Sequence, residues 1–163
     1  MMTRGRSRAR LGLAWLVLLC AAPLVLACGP EKKGKRVRVT VIIILASETD
    51  TRVDRKLECI AREVRKMHPR FKGFRMANLS CKSIPVGSAD LFELVEDQQA
   101  SITVQRAADK MDRVRLKVGP PMMGEITYST PCGKFLPILT PYRTKGNDQV
   151  LIAVRVQPCN NGK

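Results

Sequence analysis

Val37-Arg38-Val39-Thr40-Val41-Ile42-Ile43-Ile44-Leu45-Ala46 decides the fold. In an extended chain Val37, Val39, Val41, Ile43 and Leu45 share one face, while Ile42 and Ile44 fill the other. A β-branched strand that is apolar on both sides belongs in the middle of a sheet covered on two faces, or covered on one face and by a helix. The helix follows at once. After the loop Ser47-Glu48-Thr49-Asp50-Thr51, the residues Val53, Leu57, Ile60, Val64 and Met67 recur at spacings of four and three, a narrow apolar stripe. Thr51 followed by Asp54 resembles a capping box with Asp in place of Glu. Pro69 ends the helix, because the residue before a proline is driven out of the helical region.

Beyond Pro69 the pattern is one of strands: Phe74–Ile84, Leu91–Glu96, Ser101–Ala107, Arg113–Val118, Glu125–Thr130, Phe135–Leu139 and Val150–Gln157. Glu96-Asp97-Gln98-Gln99, Ala108-Asp109-Lys110-Met111-Asp112 and Lys145-Gly146-Asn147-Asp148 read as turns. Pro137 confines its strand to a sheet edge or a bulge. The expected fold class is α+β: one N-terminal amphipathic helix packed on a mostly antiparallel sheet of six to eight strands, a β-α-β start and then a β-meander.

The first 28 residues concern location. Arg4, Arg6, Arg8 and Arg10 form a basic start, an apolar run from Leu11 to Leu26 follows, and Ala27-Cys28-Gly29 closes the segment. This is the layout of a secretory signal peptide. Val25-Leu26-Ala27-Cys28 resembles the lipobox of bacterial lipoproteins, in which the cysteine becomes the acylated first residue of the mature chain. Leu26 stands where that motif more often has a small residue. The competing readings are an uncleaved anchor, since Leu11 to Cys28 holds 18 residues, at the lower edge of what spans a bilayer, and a segment cut without lipid attachment. Pro23, and Gly29-Pro30-Glu31 in place of a basic stop, favour cleavage. The expected organisation is a signal peptide over 1–27, a lipid-anchored basic tether over 28–36, one α+β domain over 37–159 and a tail over 160–163. The implied location is the bacterial envelope, lipid-anchored at a membrane and facing the periplasm or the exterior; Gly29 in place of Asp points to the outer membrane.

Without residues 1–27 the chain keeps 136 residues, one domain with enough length for its own core. It then carries 25 basic against 14 acidic residues, a formal +11. Nucleic acid, the usual partner of a basic domain, does not fit export, and aromatic residues for base stacking make up only 4% of the chain. Anionic lipid headgroups, anionic glycolipid or an acidic envelope protein fit better. The candidate surface contacts are Lys32, Lys33, Lys35 and Arg36 after the lipid site, and Arg52, Arg55 and Arg62 around the helix. The competing reading is a solvated tether and a solvated helix face.

Catalytic chemistry finds little purchase. His68, the only histidine, sits at a helix end among Lys and Arg, where it suits the helix dipole. Asp50 with Asp54, and Asp109 with Asp112, are cap and turn residues, and no nucleophile, base and orienter stand together. Met122-Met123 reads as an exposed apolar loop. Cys59, Cys81, Cys132 and Cys159 remain once Cys20 leaves and Cys28 is acylated. An even number in an exported domain implies two disulfides. Cys132–Cys159 across the last strand pair is the first choice, with Cys59–Cys81 second; buried thiols are the competitor. A zinc site lacks any close Cys-x-x-Cys pair, so neither metal nor cofactor is expected.

Val41-Ile42-Ile43-Ile44-Leu45-Ala46-Ser47, Phe92-Glu93-Leu94, Arg113-Val114-Arg115-Leu116, Gly124-Glu125-Ile126-Thr127-Tyr128 and Cys132-Gly133-Lys134-Phe135 together resemble small bacterial envelope lipoproteins. The resemblance spans Val37 to Cys159 and is structural. It implies a non-enzymatic, lipid-anchored envelope protein whose β-rich domain binds a partner or has a structural role. The alternatives are an electrostatic binder of anionic headgroups and an accessory protein of envelope assembly or secretion.

Overall fold

The computed structural model describes residues 35–158. β1 (Arg36–Ser47) leads to a 3-10 turn (Arg55–Leu57) that runs into α1 (Glu58–Met67). Then follow β2 (Gly73–Pro85), β3 (Ala89–Glu93), β4 (Gln99–Arg106), β5 (Arg113–Gly119), β6 (Ile126–Pro131), β7 (Phe135–Arg143) and β8 (Gln149–Pro158). All ladders between these strands are antiparallel. The expected single sheet is in fact two four-stranded sheets, ordered β2-β1-β8-β7 and β3-β4-β5-β6. The second of these is the expected meander. The reason for the split lies in two corners. Pro85-Val86-Gly87 and Pro131-Cys132-Gly133 each combine a proline, which cannot donate to a ladder, with a glycine in the left-handed region, at φ 88° and 83°. Each corner ends a ladder and carries the chain from one sheet to the other.

β1 sits inside its sheet with both faces covered. Val37, Val39, Val41 and Ile43 join Ile102, Val104, Leu116, Val154 and others in the core between the sheets. Ile42, Ile44 and Ala46 face a second core made by Leu57, Ile60, Ala61 and Val64, closed by Phe71 and Phe74. The layers are therefore helix, sheet, sheet. Pro137 lies on β7, an edge strand, in line with its missing donor.

Three local expectations need correction. The helix does not begin the domain; it follows β1 and spans ten residues. Met67 is 61% exposed and leaves the apolar stripe. The helix stops there, with the His68 N–H donating to Val64 O at 2.8 Å, and the chain turns so that Phe71 fills the space. Thr51 and Asp54 form no capping box. No side chain caps the start of the helix, and the Asp54 carboxylate instead accepts the Met76 N–H at 2.6 Å. That bond reinforces the short parallel bridge between Val53 and Phe74, which ties the helix entry to β2.

The disulfide expectation fails where it can be followed. Cys59, Cys81 and Cys132 are free thiols, and Cys159 lies outside the described residues. Cys59 is exposed on α1, whereas Cys81 stands opposite Thr40, on the part of the sheet that the helix does not cover. Cys81 lies five residue steps along β2 from Met76, which packs under the helix, or about 16 Å of strand. A bridge needs Cα atoms within about 7 Å. Cys132 is partly buried beside the Asp112 carboxylate; burial first, and then Asp112, push its thiol up to about 11. Iodoacetamide at mildly alkaline pH should therefore modify Cys59 and Cys81 first and Cys132 last, because the thiolate is the nucleophile. Peptide mass spectrometry reads the order, and a Cys132 as fast as Cys81 would contradict this packing.

Candidate functional site

The hydrogen bonds that close the corners gather one end of the sandwich. Val86 N–H donates to Lys35 O at 3.0 Å, Gly87 N–H to Val104 O at 2.7 Å, and Val104 N–H to Ser88 O at 3.1 Å. Cys132 N–H donates to Asp112 O at 2.8 Å, and Gly133 N–H to Val156 O at 2.9 Å. The start of β1, the β2–β3 corner, the β4–β5 turn, the β6–β7 corner and the end of β8 thus belong to one end, the end that carries Lys35.

That end is basic. Arg36, Arg106, Lys110, Arg113, Arg115 and Lys134 are all exposed there. Alternation along β5 explains the arginines: Val114 and Leu116 are fully buried, so Arg113 and Arg115 point outward. Arg106 stands directly opposite Arg115 in the β4–β5 ladder, a like-charge pairing that costs stability. Among the described residues none of these six cations forms an ion pair; Arg36 donates to Ser83 and Arg113 to Ser129 O. The two acids of this end are engaged inside its turn. Asp109 accepts the N–H groups of Met111 at 2.8 Å and Arg113 at 3.0 Å, and Asp112 faces the Cys132 thiol. Met111, at the tip of the turn, is 76% exposed.

The opposite end differs. Arg143 and Arg70 share Glu48, Arg75 pairs with Asp148, and Lys117 pairs with Glu125. Glu96 accepts the Tyr142 hydroxyl at 2.6 Å and the Lys145 N–H at 2.8 Å, which clamps the β3–β4 turn to the β7–β8 turn. The tyrosine hydroxyl, followed by the backbone N–H, holds the Glu96 carboxyl below its ordinary range. The Arg143 guanidinium does the same for Glu48. Arg70, Arg75, Lys117 and Arg143 are thus each paired with an acid, whereas Arg55, Lys56, Arg62, Lys66 and Lys72 near α1 form no ion pair among the described residues.

The expected surface contacts divide between these regions. Lys35 and Arg36 belong to the basic end; Lys32, Lys33 and the lipidation site Cys28 lie outside the described residues. Arg52 is tied to Asp50 at 3.2 Å. Arg55 and Arg62 are exposed near α1, far along the sheet from Lys35. An open groove of about 460 Å3 there is lined by Val53, Glu58, Ala61, Arg62, Arg65 and Lys66. Arg65 is already committed: it donates to the carbonyls of Phe71 and Lys72 and lies 5.3 Å from the centre of the Phe74 ring. The reading from sequence alone missed Arg106, Lys110, Arg113, Arg115 and Lys134. Outward parity on β5 was visible in Arg113-Val114-Arg115-Leu116, but only the two-sheet topology brings these positions beside Lys35.

Chemically, this end can attract anions through number and charge. Among the described residues no three His, Cys, Asp or Glu side chains gather as a metal site, and no helix is long and apolar enough to cross a membrane. Comparison with protein-family models, curated proteins and solved structures gives no match for the chain.

Proposed function

We propose that this chain is exported, acylated at Cys28 and held at a bacterial envelope membrane, and that its sandwich is a binding domain with no catalytic role. The pattern from Arg4 to Cys28 supports export and acylation. The observation that carries the reading is the position of Lys35. It follows Cys28 by seven residues and belongs to the basic end of the sandwich. Seven residues reach at most about 25 Å even when fully extended. An acylated Cys28 therefore keeps near lipid headgroups cations that form no ion pair among the described residues, and an anionic surface attracts them. The far end, with the groove beside α1, lies farther along the sandwich from the acylated residue and offers a surface to another envelope component.

Mass spectrometry of the chain purified from membranes of a bacterial host tests this. The N-terminal peptide should begin at Cys28 and carry acyl mass. Recovery of peptides from residues 1–27 in the mature protein would overturn it.

A further inference from the structure

We propose that the basic end docks end-on against the anionic headgroups of the membrane that holds the anchor, with Met111 at the contact and the Met122 loop directed away. The inference rests on the anchored reading above and goes beyond it, since a lipid tether alone fixes no orientation. Three observations carry it. First, the short tether leaves this end within about 25 Å of the acyl chains, whereas the twelve residues of β1 run about 36 Å toward the other end.

Second, charge is sorted by end. The exposed cations around Lys35 have no acidic partner among the described residues, and Arg106 even faces Arg115 across the ladder. At the far end Arg70, Arg143, Arg75 and Lys117 pair with Glu48, Asp148 and Glu125, and Arg55 and Arg62, which form no ion pair among the described residues, are interspersed in sequence with Asp54, Glu58 and Glu63. An anionic plane placed against Arg106, Arg113 and Arg115 turns a mutual repulsion into a shared attraction. Asp109 and Asp112 keep their charge and offset only part of it, because Lys35 and the six cations named above outnumber them. Third, the tip of that turn is an exposed methionine beside Lys110, an apolar side chain set among cations, as surface-seated segments use at the headgroup boundary.

The processed chain permits a direct test, because the only tryptophan, Trp15, precedes Cys28. The acylated protein carrying Met111→Trp or Met122→Trp is reconstituted in phosphatidylglycerol or phosphatidylcholine vesicles that contain a headgroup-nitroxide lipid. The tryptophan at 111 should be quenched in phosphatidylglycerol and recover in high salt, while that at 122 stays bright. Arg113→Glu with Arg115→Glu should reduce the quenching at least about fivefold, the factor expected from one lost surface cation. Lys110→Glu with Lys134→Glu should do the same without altering a strand. Arg55→Glu with Arg62→Glu should leave the quenching unchanged. Equal quenching at 111 and 122, equal quenching in phosphatidylcholine, or loss of quenching on reversing Arg55 and Arg62 would overturn the docking. A chain that stays with the vesicles while the tryptophan at 111 is unquenched overturns the docking alone. A chain that leaves both kinds of vesicle overturns the anchor and the docking together.

Discussion

Leu57→Ala should destabilise the fold by about 2–5 kcal/mol, the range for deleting a buried leucine from a core that cannot collapse around the loss. Leu57 is fully buried at the junction of the 3-10 turn and α1, in the cluster with Ile44, Ala46 and Phe74. Truncation there removes the contact that seats the helix, and ten residues of helix have little stability of their own in water. Met67→Ala is the control. It belongs to the same sequence stripe but is 61% exposed, so its cost should stay within about 0.5 kcal/mol. Urea unfolding with an unchanged slope reads both values. A Leu57→Ala cost as small as that of Met67→Ala would mean that α1 does not cover the sheet.

The same pair of residues shows how far the sequence could be read. Period-two and period-four patterns report burial, so β1, its two-sided cover and the Leu57–Ile60–Val64 face were legible. Met67 shares the spacing, but a spacing cannot say where a helix stops. That depended on the turn at His68 and on Phe71, whose burial comes from tertiary packing. The strands after Pro69 were legible for the same reason as β1, to within a few residues at their ends. Their division into two sheets was not, because the decision lies in Pro85-Val86-Gly87 and Pro131-Cys132-Gly133, where backbone chirality and missing donors act over three residues.

The site was half legible. Lys35 and Arg36 could be named because they follow the lipid site directly in sequence. Arg106, Arg113, Arg115 and Lys134 come from strands and corners that only topology brings together. Arg55 and Arg62 have the same composition and the same exposure but fall near the helix, toward the other end of β1. Charge is a property of composition; its sorting between ends is a property of the fold. The cysteines make the same point. Counting them predicts bridges, whereas the distance between α1 and the uncovered part of β2 forbids one.

The central claim is acylation at Cys28, and the most direct test is Cys28→Ser in a bacterial host fed a labelled fatty acid. Two or more acyl chains hold a protein stably at a bilayer, where one chain binds only marginally, so loss of the acylated residue removes the lipid anchor and leaves only the apolar segment of the precursor. The unaltered chain should carry the label, run at the size left after loss of residues 1–27 and sediment with membranes. The Cys28→Ser chain should take up no label and remain at precursor size. A Cys28→Ser chain that runs at mature size, keeps the label and sediments with membranes would contradict the account.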